Sequence, residues 1–400
     1  MKIVYVVGGL LAPNGMSSVL SAKINYLAEH TDYELYMILT EKAGHPWSYQ
    51  INQKVKWVNF DINFDELDTM PLYRKIFCYL LKQRRYKKKF TDYLMEIRPD
   101  ITVSTVRREI NFINDILDGS KKIGEIHFNR TNYREFKKKW LPNYFNRFVT
   151  KIWMNSLLKQ LKRLDCFVVL SKEDYKNWPE LNNKIVIPNS ISYFPDFQST
   201  CENKQAIAVG RYTNQKGFDL LLQAWRIVYE KHPDWHLDIY GSGDREEYER
   251  LGKKLGVSEV VTCHPAVSDI YEIYRESSIF VFSSRYEGFG LVLAEAMSTG
   301  VPAVSFACPC GPSDIIHDGI DGILVENGNI QALADGICLL IENETFRKRL
   351  GEEATKSVSC FSQDLIMNQW VNLFNLMMKK ILCHENLLCI YSTDDKRGSR

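Results

Sequence analysis

Ser278-Ile-Phe-Val-Phe282-Ser-Ser-Arg285-Tyr-Glu287-Gly288-Phe289-Gly290-Leu291-Val-Leu-Ala-Glu295-Ala-Met-Ser-Thr-Gly300-Val-Pro302 decides how this chain is read. Its first five residues are an apolar run of the kind that forms a buried strand. Residues 291–297 are helix formers, closed by Gly300 and Pro302, an ordinary helix stop. A strand therefore ends in a glycine-rich loop that feeds a helix N-terminus. Such a terminus offers unpaired N–H groups and the positive end of a dipole, a combination that favours phosphate. Glu287 stands in the loop and Glu295 lies eight residues further on. Two carboxylates beside a phosphate cradle point to a phosphorylated substrate with hydroxyls to be held. The plainer alternative is a core strand and helix with two solvated glutamates.

Outward from this stretch, the chain alternates strand-like and helix-like segments. In the first half, residues 3–7, 34–39, 101–105, 122–126, 166–170 and 184–187 read as short buried strands. Helix-length amphipathic stretches, such as 16–29 and 72–97, lie between most of them. Residues 193–204 carry Pro, Asp, Ser, Thr and Asn without a period and read as an interdomain linker. The alternation then restarts, with strands at 205–209, 235–240, 260–263, 279–282, 303–306 and 322–325. Helices are expected at 218–231 and 330–341, and a long final helix at 361–382. Such alternation implies parallel sheets covered by helices on both faces. Four hundred residues are too many for one ordinary core. The expected class is therefore α/β, with two doubly wound, Rossmann-like domains facing a cleft. The first covers residues 1–195 and is joined by the final helix, the second covers 196–360, and 384–400 form a tail. Ligands of such sheets sit beyond the carboxyl ends of the strands, where the glycine loops fall.

Several other segments carry candidate chemistry. Gly210-Arg211-Tyr-Thr-Asn-Gln-Lys216-Gly217 follows the first strand of the second domain. Arginine offers a fork to phosphate oxygens and lysine a point charge, so the pair suits a diphosphate. Gly8-Gly9-Leu-Leu-Ala-Pro-Asn-Gly15-Met16 follows the first strand of the chain, and Tyr240-Gly241-Ser-Gly243-Asp244 ends another. Neither is a complete G-x-G-x-x-G, which counts against a dinucleotide site. His127 ends the strand before a polar loop. Alone it reads as a structural or exposed histidine.

In their order, these segments resemble the donor site of retaining glycosyltransferases of family 4, which have the GT-B fold. The resemblance rests on Glu287-x7-Glu295, on Gly300-Val-Pro-Ala-Val, on Gly311-Pro-Ser-Asp-Ile-Ile, and on Gly210-Arg211 with Lys216-Gly217. It implies transfer of a hexose or N-acetylhexosamine from a nucleotide sugar, UDP-linked by expectation, to a glycan or lipid-linked acceptor. The anomeric configuration is retained. It also implies Glu287, Arg211, Lys216 and His127 as catalytic residues. Donor contacts are expected from Gly15, Met16, Gly241, Pro265, Ile270, Gly288, Phe289, Gly290, Leu291 and Glu295. Arg211 and Lys216 would neutralise the leaving diphosphate, Glu287 would hold sugar hydroxyls and Glu295 the ribose. Asp314 stands where relatives often have Glu. No Asp-x-Asp occurs, so no metal and no cofactor beyond the donor are expected. A nucleotide-sugar epimerase of the same fold, or a non-catalytic nucleotide- or membrane-binding module, is the alternative.

Composition adds bounds. The content is 45 % apolar and 25 % charged, as in ordinary globular proteins. No run approaches the roughly eighteen apolar residues of a membrane span. The opening residues read as a strand rather than as a signal peptide. Ten scattered cysteines without a CxxC pair are those of a reduced, cytoplasmic protein. The net charge of +2 hides an asymmetry. Residues 1–190 hold 31 Lys+Arg against 20 Asp+Glu, the remainder 20 against 29. Much of the excess lies from Arg74 to Lys89, with a second cluster at 137–140. Basic residues interleaved with aromatics and leucines suit an anionic membrane surface at the inner face; a solvated helix face is the alternative. No nucleic-acid recognition motif accompanies them, so no nucleic-acid partner is expected.

Overall fold

The computed structural model describes residues 1–10, 15–41, 47–130, 133 and 143–379. The basic cluster at 137–140 and the 384–400 tail lie outside the described residues. The chain divides into two compact units. The first comprises residues 1–170, 175–187 and 367–400; the second comprises 171–174 and 188–366.

The first unit is built on a seven-stranded sheet in the order β3-β2-β1-β4-β5-β6-β7. Its strands are β1 (Lys2–Val6), β2 (Glu34–Leu39), β3 (Lys56–Asn59), β4 (Ile101–Ser104), β5 (Lys121–Glu125), β6 (Cys166–Val169) and β7 (Lys184–Val186). Every recorded pairing is parallel. Helices α1 (Gly15–His30), α2 (Leu72–Ile97) and α3 (Asn143–Leu161) connect them. Inner strands such as β4 and β6 are buried at every position. Coverage of both faces explains why they read as unbroken apolar runs. β3 has no counterpart in the sequence reading. It is an edge strand, Lys-Trp-Val-Asn, with no fully buried residue, so it carries little periodic signal.

The second unit repeats the plan with six parallel strands in the order β10-β9-β8-β11-β12-β13. They are β8 (Gln205–Val209), β9 (His236–Gly241), β10 (Val261–Pro265), β11 (Ile279–Phe282), β12 (Ala303–Phe306) and β13 (Gly322–Val325). Helix α4 (Lys172–Asn177) begins within this unit. It is followed by α5 (Phe218–Lys231), α6 (Arg245–Leu255), α7 (Tyr271–Arg275), α8 (Leu291–Ser298), α9 (Pro312–Ile315), α10 (Ile330–Glu342) and α11 (Glu344–Val358). β10 runs two residues beyond its expected end and takes in Pro265, which an edge strand tolerates because its outward N–H has no ladder partner. The non-periodic stretch 193–204 packs firmly on this unit. Ser199 N–H donates to Thr299 O at 2.8 Å, and the Arg347 Nε donates to Cys201 O at 3.0 Å.

The final helix, α12 (Gln363–Met378), starts in the second unit, and from Met367 onward it belongs to the first. There it buries Trp370 and Phe374. The Lys23 ammonium lies 3.7 Å from the centre of the Trp370 ring and forms a buried ion pair with Glu125 at the end of β5. Burial lowers the Lys23 pKa. For Glu125 burial acts upward, but Lys23 and His127 outweigh it and hold the carboxyl below its usual range. Removing one member of such a pair strands a charge in the core. Lys23→Ala should therefore lower stability by about 3–5 kcal/mol in urea unfolding. The double variant Lys23→Met, Glu125→Leu should recover most of that loss, and no recovery would assign the effect to packing on Trp370.

Candidate active site

The strand order of the second sheet reverses between β8 and β11, so the loops leaving their carboxyl ends lie side by side. These are the two segments the sequence singles out, 210–217 and 283–290. Their mutual placement is fixed by backbone contact. Gly217 has φ +65°, and a Cβ there would meet Ser283 O at 2.1 Å. The Ser283 hydroxyl donates to Lys216 O at 2.9 Å, and Arg285 N–H donates to Gln215 O at 2.8 Å. The Arg285 guanidinium then grips both Asp219 carboxylate oxygens, at 2.8 and 2.7 Å. Burial acts to raise the Asp219 carboxyl, but Arg285 prevails and holds it low. Sequence reasoning missed the Arg285–Asp219 clamp. Its members lie 66 positions apart with no local pattern to mark them.

This clamp sets the geometry of the candidate residues. Lys216 Nζ lies 2.8 Å from Glu287 Oε1, and both side chains are largely buried, at 13 % and 9 % exposure. The sequence reading gave the two residues separate tasks, whereas the structure couples them. A Cβ at Gly210 would crowd the Lys216 stem at 2.9 Å, which accounts for a glycine at the end of β8. Arg211 is exposed and has no ion pair among the described residues. Gly288 is half-buried, while Phe289 and Gly290 are buried. Gly290, at φ +96°, turns the chain into α8, whose first amides start at Leu291 and have no partner within the helix. Gly311 closes the loop from behind: a Cβ on it would lie 2.0 Å from Phe289 O. Asp314 accepts from Glu173 N–H at 3.2 Å.

Glu295 sits one turn into α8, beside Tyr271 and Tyr274. Its surface is only partly covered, yet protein crowds the carboxyl closely enough that burial pushes it up to about 7, against the opposing pull of Lys216. No hydrogen bond to this carboxyl is present among the described residues. Gly241 ends β9 where a Cβ would collide with Gly210 O at 1.7 Å. Gly241 and Pro265 line a cavity of about 360 Å³ with residues 242–246 and Ala266. On the strand ends that precede these residues, His264 stacks on Tyr240 at 4.3 Å and bonds Asp238 through Nε2 at 2.9 Å. Ile270 is half-buried at the start of α7.

The other candidates belong to the first unit. Gly15 and Met16 open α1, and residues 11–14 of the preceding loop lie outside the described residues. The Met16 sulfur lies 3.6 Å from an Arg107 nitrogen. His127 follows β5 and is buried, with Nε2 3.4 Å from Glu125 Oε1. The sequence reading did not single out Glu125, Lys23 or Arg107.

Residues 192–357 match the family model "Glycosyl transferases group 1". An uncharacterised glycosyltransferase of Haemophilus influenzae is 33 % identical over 211 residues, covering 52 % of this chain and 60 % of that protein. An amylovoran biosynthesis glycosyltransferase, AmsD of Erwinia amylovora, is 33 % identical over 189 residues, 47 % of this chain and 52 % of its own length. The chain thus spans little more than half of these relatives. Among solved structures, a variant of TarM from S. aureus in complex with fondaparinux, alpha-GlcNAc-glycerol and UDP aligns over 94 % of this chain and 99 % of its own. Its TM-score is 0.72 at 16 % identity, a likeness of fold. The chain has the GT-B fold of two parallel-sheet Rossmann-like units, and residues 192–357 of its second unit are similar to the glycosyl transferases group 1 model.

Proposed function

We propose that this protein is a retaining, metal-independent glycosyltransferase that moves a hexose or N-acetylhexosamine from a UDP-sugar to a glycan or lipid-linked acceptor of an envelope polysaccharide. The observation that carries the reading is the Lys216–Glu287 pair held beside the unpaired Arg211 and the α8 N-terminus. Leaving of a nucleoside diphosphate develops charge on its phosphate oxygens. The amides from Gly288 to Leu291 are donors fixed by the backbone before substrate arrives, and such donors lower the barrier without reorganisation; Arg211 and Lys216 would add their charges. Lys216 donates to Glu287 at 2.8 Å. A bound diphosphate would draw the ammonium toward itself and release Glu287 for sugar hydroxyls. Glu295 would accept from the ribose, and the cavity of about 360 Å³ past Gly241 and Pro265 would take the base. UDP in the TarM complex and the polysaccharide named for AmsD favour this donor and acceptor class.

The N-terminal part of α2 supports attachment at an anionic membrane surface. Tyr73, Ile76, Phe77, Leu80 and Leu81 are exposed along it, Tyr73 at 70 % and Phe77 at 64 %. The basic run divides into two sets. Lys75, Lys82 and Lys87 pair with Asp68, Glu66 and Asp115, and Lys89 donates to Phe60 O. Arg74, Arg84, Arg85 and Lys88 have no ion pair among the described residues. Free cations flanking exposed apolar side chains are what an interfacial helix presents to anionic lipid. No helix among the described residues is long and apolar enough to cross a membrane.

Four outcomes test these assignments. In EDTA, with UDP-sugar and acceptor, turnover should persist and NMR should show the donor's anomeric configuration in the product. The Arg211→Ala, Lys216→Ala double variant should turn over at least about 100-fold more slowly; full activity there, or inversion, would overturn the mechanism. A ribose holds the ionised carboxylate, so UDP binding should expel the Glu295 proton and tighten as pH rises through about 7. Calorimetry at pH 6 and pH 8 should find part of this dependence gone in Glu295→Gln, and an unchanged dependence removes Glu295 from the donor site. Binding to phosphatidylglycerol vesicles at low salt should fall in Arg84→Ser, Arg85→Ser, Lys88→Ser, while equal binding returns α2 to a solvated face.

A further inference from the structure

The buried Lys23–Glu125 ion pair of the first unit adjoins His127, and the mutual placement of the three follows from the strand that carries two of them. Glu125 is the last residue of β5, and His127 stands two positions further on. The ladder continues past the strand end, because Ile126 N–H donates to Val168 O at 3.1 Å. On extended backbone, residues two apart share a face. His127 Nε2 accordingly lies 3.4 Å from Glu125 Oε1, the same oxygen that accepts from the Lys23 ammonium. Both residues are buried, Glu125 at 1 % exposure. Several polar atoms here lack a hydrogen-bond partner: Glu125 Oε2, both ring nitrogens of His127, and the Tyr5 hydroxyl on β1. Buried polar groups are nearly always paired, so a buried histidine with both nitrogens open marks a place where a ligand supplies a partner.

Stability alone does not account for the ion pair. Taking both charges out of water costs so much that well-packed apolar side chains often replace a buried pair without loss. Among the described residues, the charged and titratable groups that face Glu125 are Lys23 on α1, Tyr5 on β1 and His127 beyond β5, while α12 contributes the Trp370 ring over Lys23. Against burial, Lys23 and His127 hold the Glu125 carboxyl ionised. An ionised carboxylate has no proton to give and only accepts. Because Lys23 balances its charge, Glu125 offers the imidazole a fixed acceptor rather than an isolated charge.

We infer that Glu125 is a positioning residue for His127: it accepts from Nε2–H, fixes the imidazole in that tautomer, and leaves Nδ1 as the acceptor for a substrate hydroxyl. The inference rests on the transferase reading, in which His127 is a candidate catalytic residue at the carboxyl end of β5. In a neutral imidazole one nitrogen donates and the other accepts, and a carboxylate beside one of them decides which. At 3.4 Å the contact is slightly longer than a formed hydrogen bond, and catalytic hydrogen bonds often tighten in the Michaelis complex. Lys23 acts one step further back, by holding the Glu125 oxygen in place.

The test compares the full wild-type chain with two double variants, each of which removes both charges and so strands neither. Lys23→Met, Glu125→Gln keeps a side-chain oxygen that can accept from Nε2–H, whereas Lys23→Met, Glu125→Leu has none. Nitrogen NMR of histidine-labelled protein reads the tautomer, with the His127 signals identified by their loss in His127→Gln. The Nε2–H form should dominate in wild type and in the glutamine variant, and a mixture of forms should appear in the leucine variant. UDP release from UDP-glucose or UDP-N-acetylglucosamine, with water as acceptor, should lose at least about tenfold in kcat in the leucine variant, with KM for the donor little changed. The glutamine variant should recover most of that loss. The Nδ1–H form in wild type, one and the same tautomer in all three proteins, or full kcat in the leucine variant would overturn the inference. No binding of UDP in calorimetry, with the tautomer still following the side chain at position 125, would instead refute the transferase reading while the positioning of His127 stands.

Discussion

The close approach of two loops at the reversal point of the second sheet is the constraint on which the rest of the candidate site depends. Gly217 can lie against the Ser283 carbonyl only because it has no side chain, and Arg285 locks that approach by gripping Asp219. Everything chemically suggestive in the unit follows from the loop positions so fixed. Lys216 reaches Glu287 because its loop cannot drift, and Gly241 tucks beneath Gly210 because the neighbouring strand end is equally tight. Sites built on strand ends and helix termini hold their groups more rigidly than sites on free loops.

Electrostatically, the second unit keeps its candidate groups in different states of readiness. The Lys216–Glu287 pair is neutral as a whole, which lowers the cost of holding both groups away from water before any ligand arrives. Arg211 stays in solvent and has no internal competitor. Glu295 sits on the opposite side of this balance, a carboxyl whose burial is only partly offset by Lys216. Groups pushed toward neutrality in this way gather where ligands bind, since a partner can supply what the protein withholds.

Much of this was legible in the sequence. The strand-loop-helix around Glu287 and Glu295, the limits of α2 and α5, and the doubled parallel architecture follow from period, glycine placement and helix stops. Those signals are local, and local signals survive in one dimension. β3 was invisible because an edge strand with no fully buried residue has no apolar alternation to read. The Arg285–Asp219 clamp and the Lys23–Glu125–Trp370 cluster were invisible for a different reason. Each joins residues whose types are ordinary in their own neighbourhood and acquire meaning only through chain folding. The coupling of Lys216 to Glu287 belongs to the same class. Both residues were singled out, and only the crossing of their loops shows that they answer each other.

The course of α12 bears on how the molecule comes into being. Trp370 and Phe374 complete the core of the first unit, and Trp370 covers the Lys23 ammonium, yet both are made only after the whole second unit has been synthesised. A chain emerging from the ribosome therefore cannot finish its first unit first. The β1–β7 sheet must wait with part of its apolar surface and one buried charge uncovered while the second unit folds. Domains usually mature in the order of their synthesis. Here the contact that seals the first unit spans most of the chain, and such distant contacts form slowly. The second unit, continuous except for residues 171–174, can reach its native state before the earlier-made unit closes.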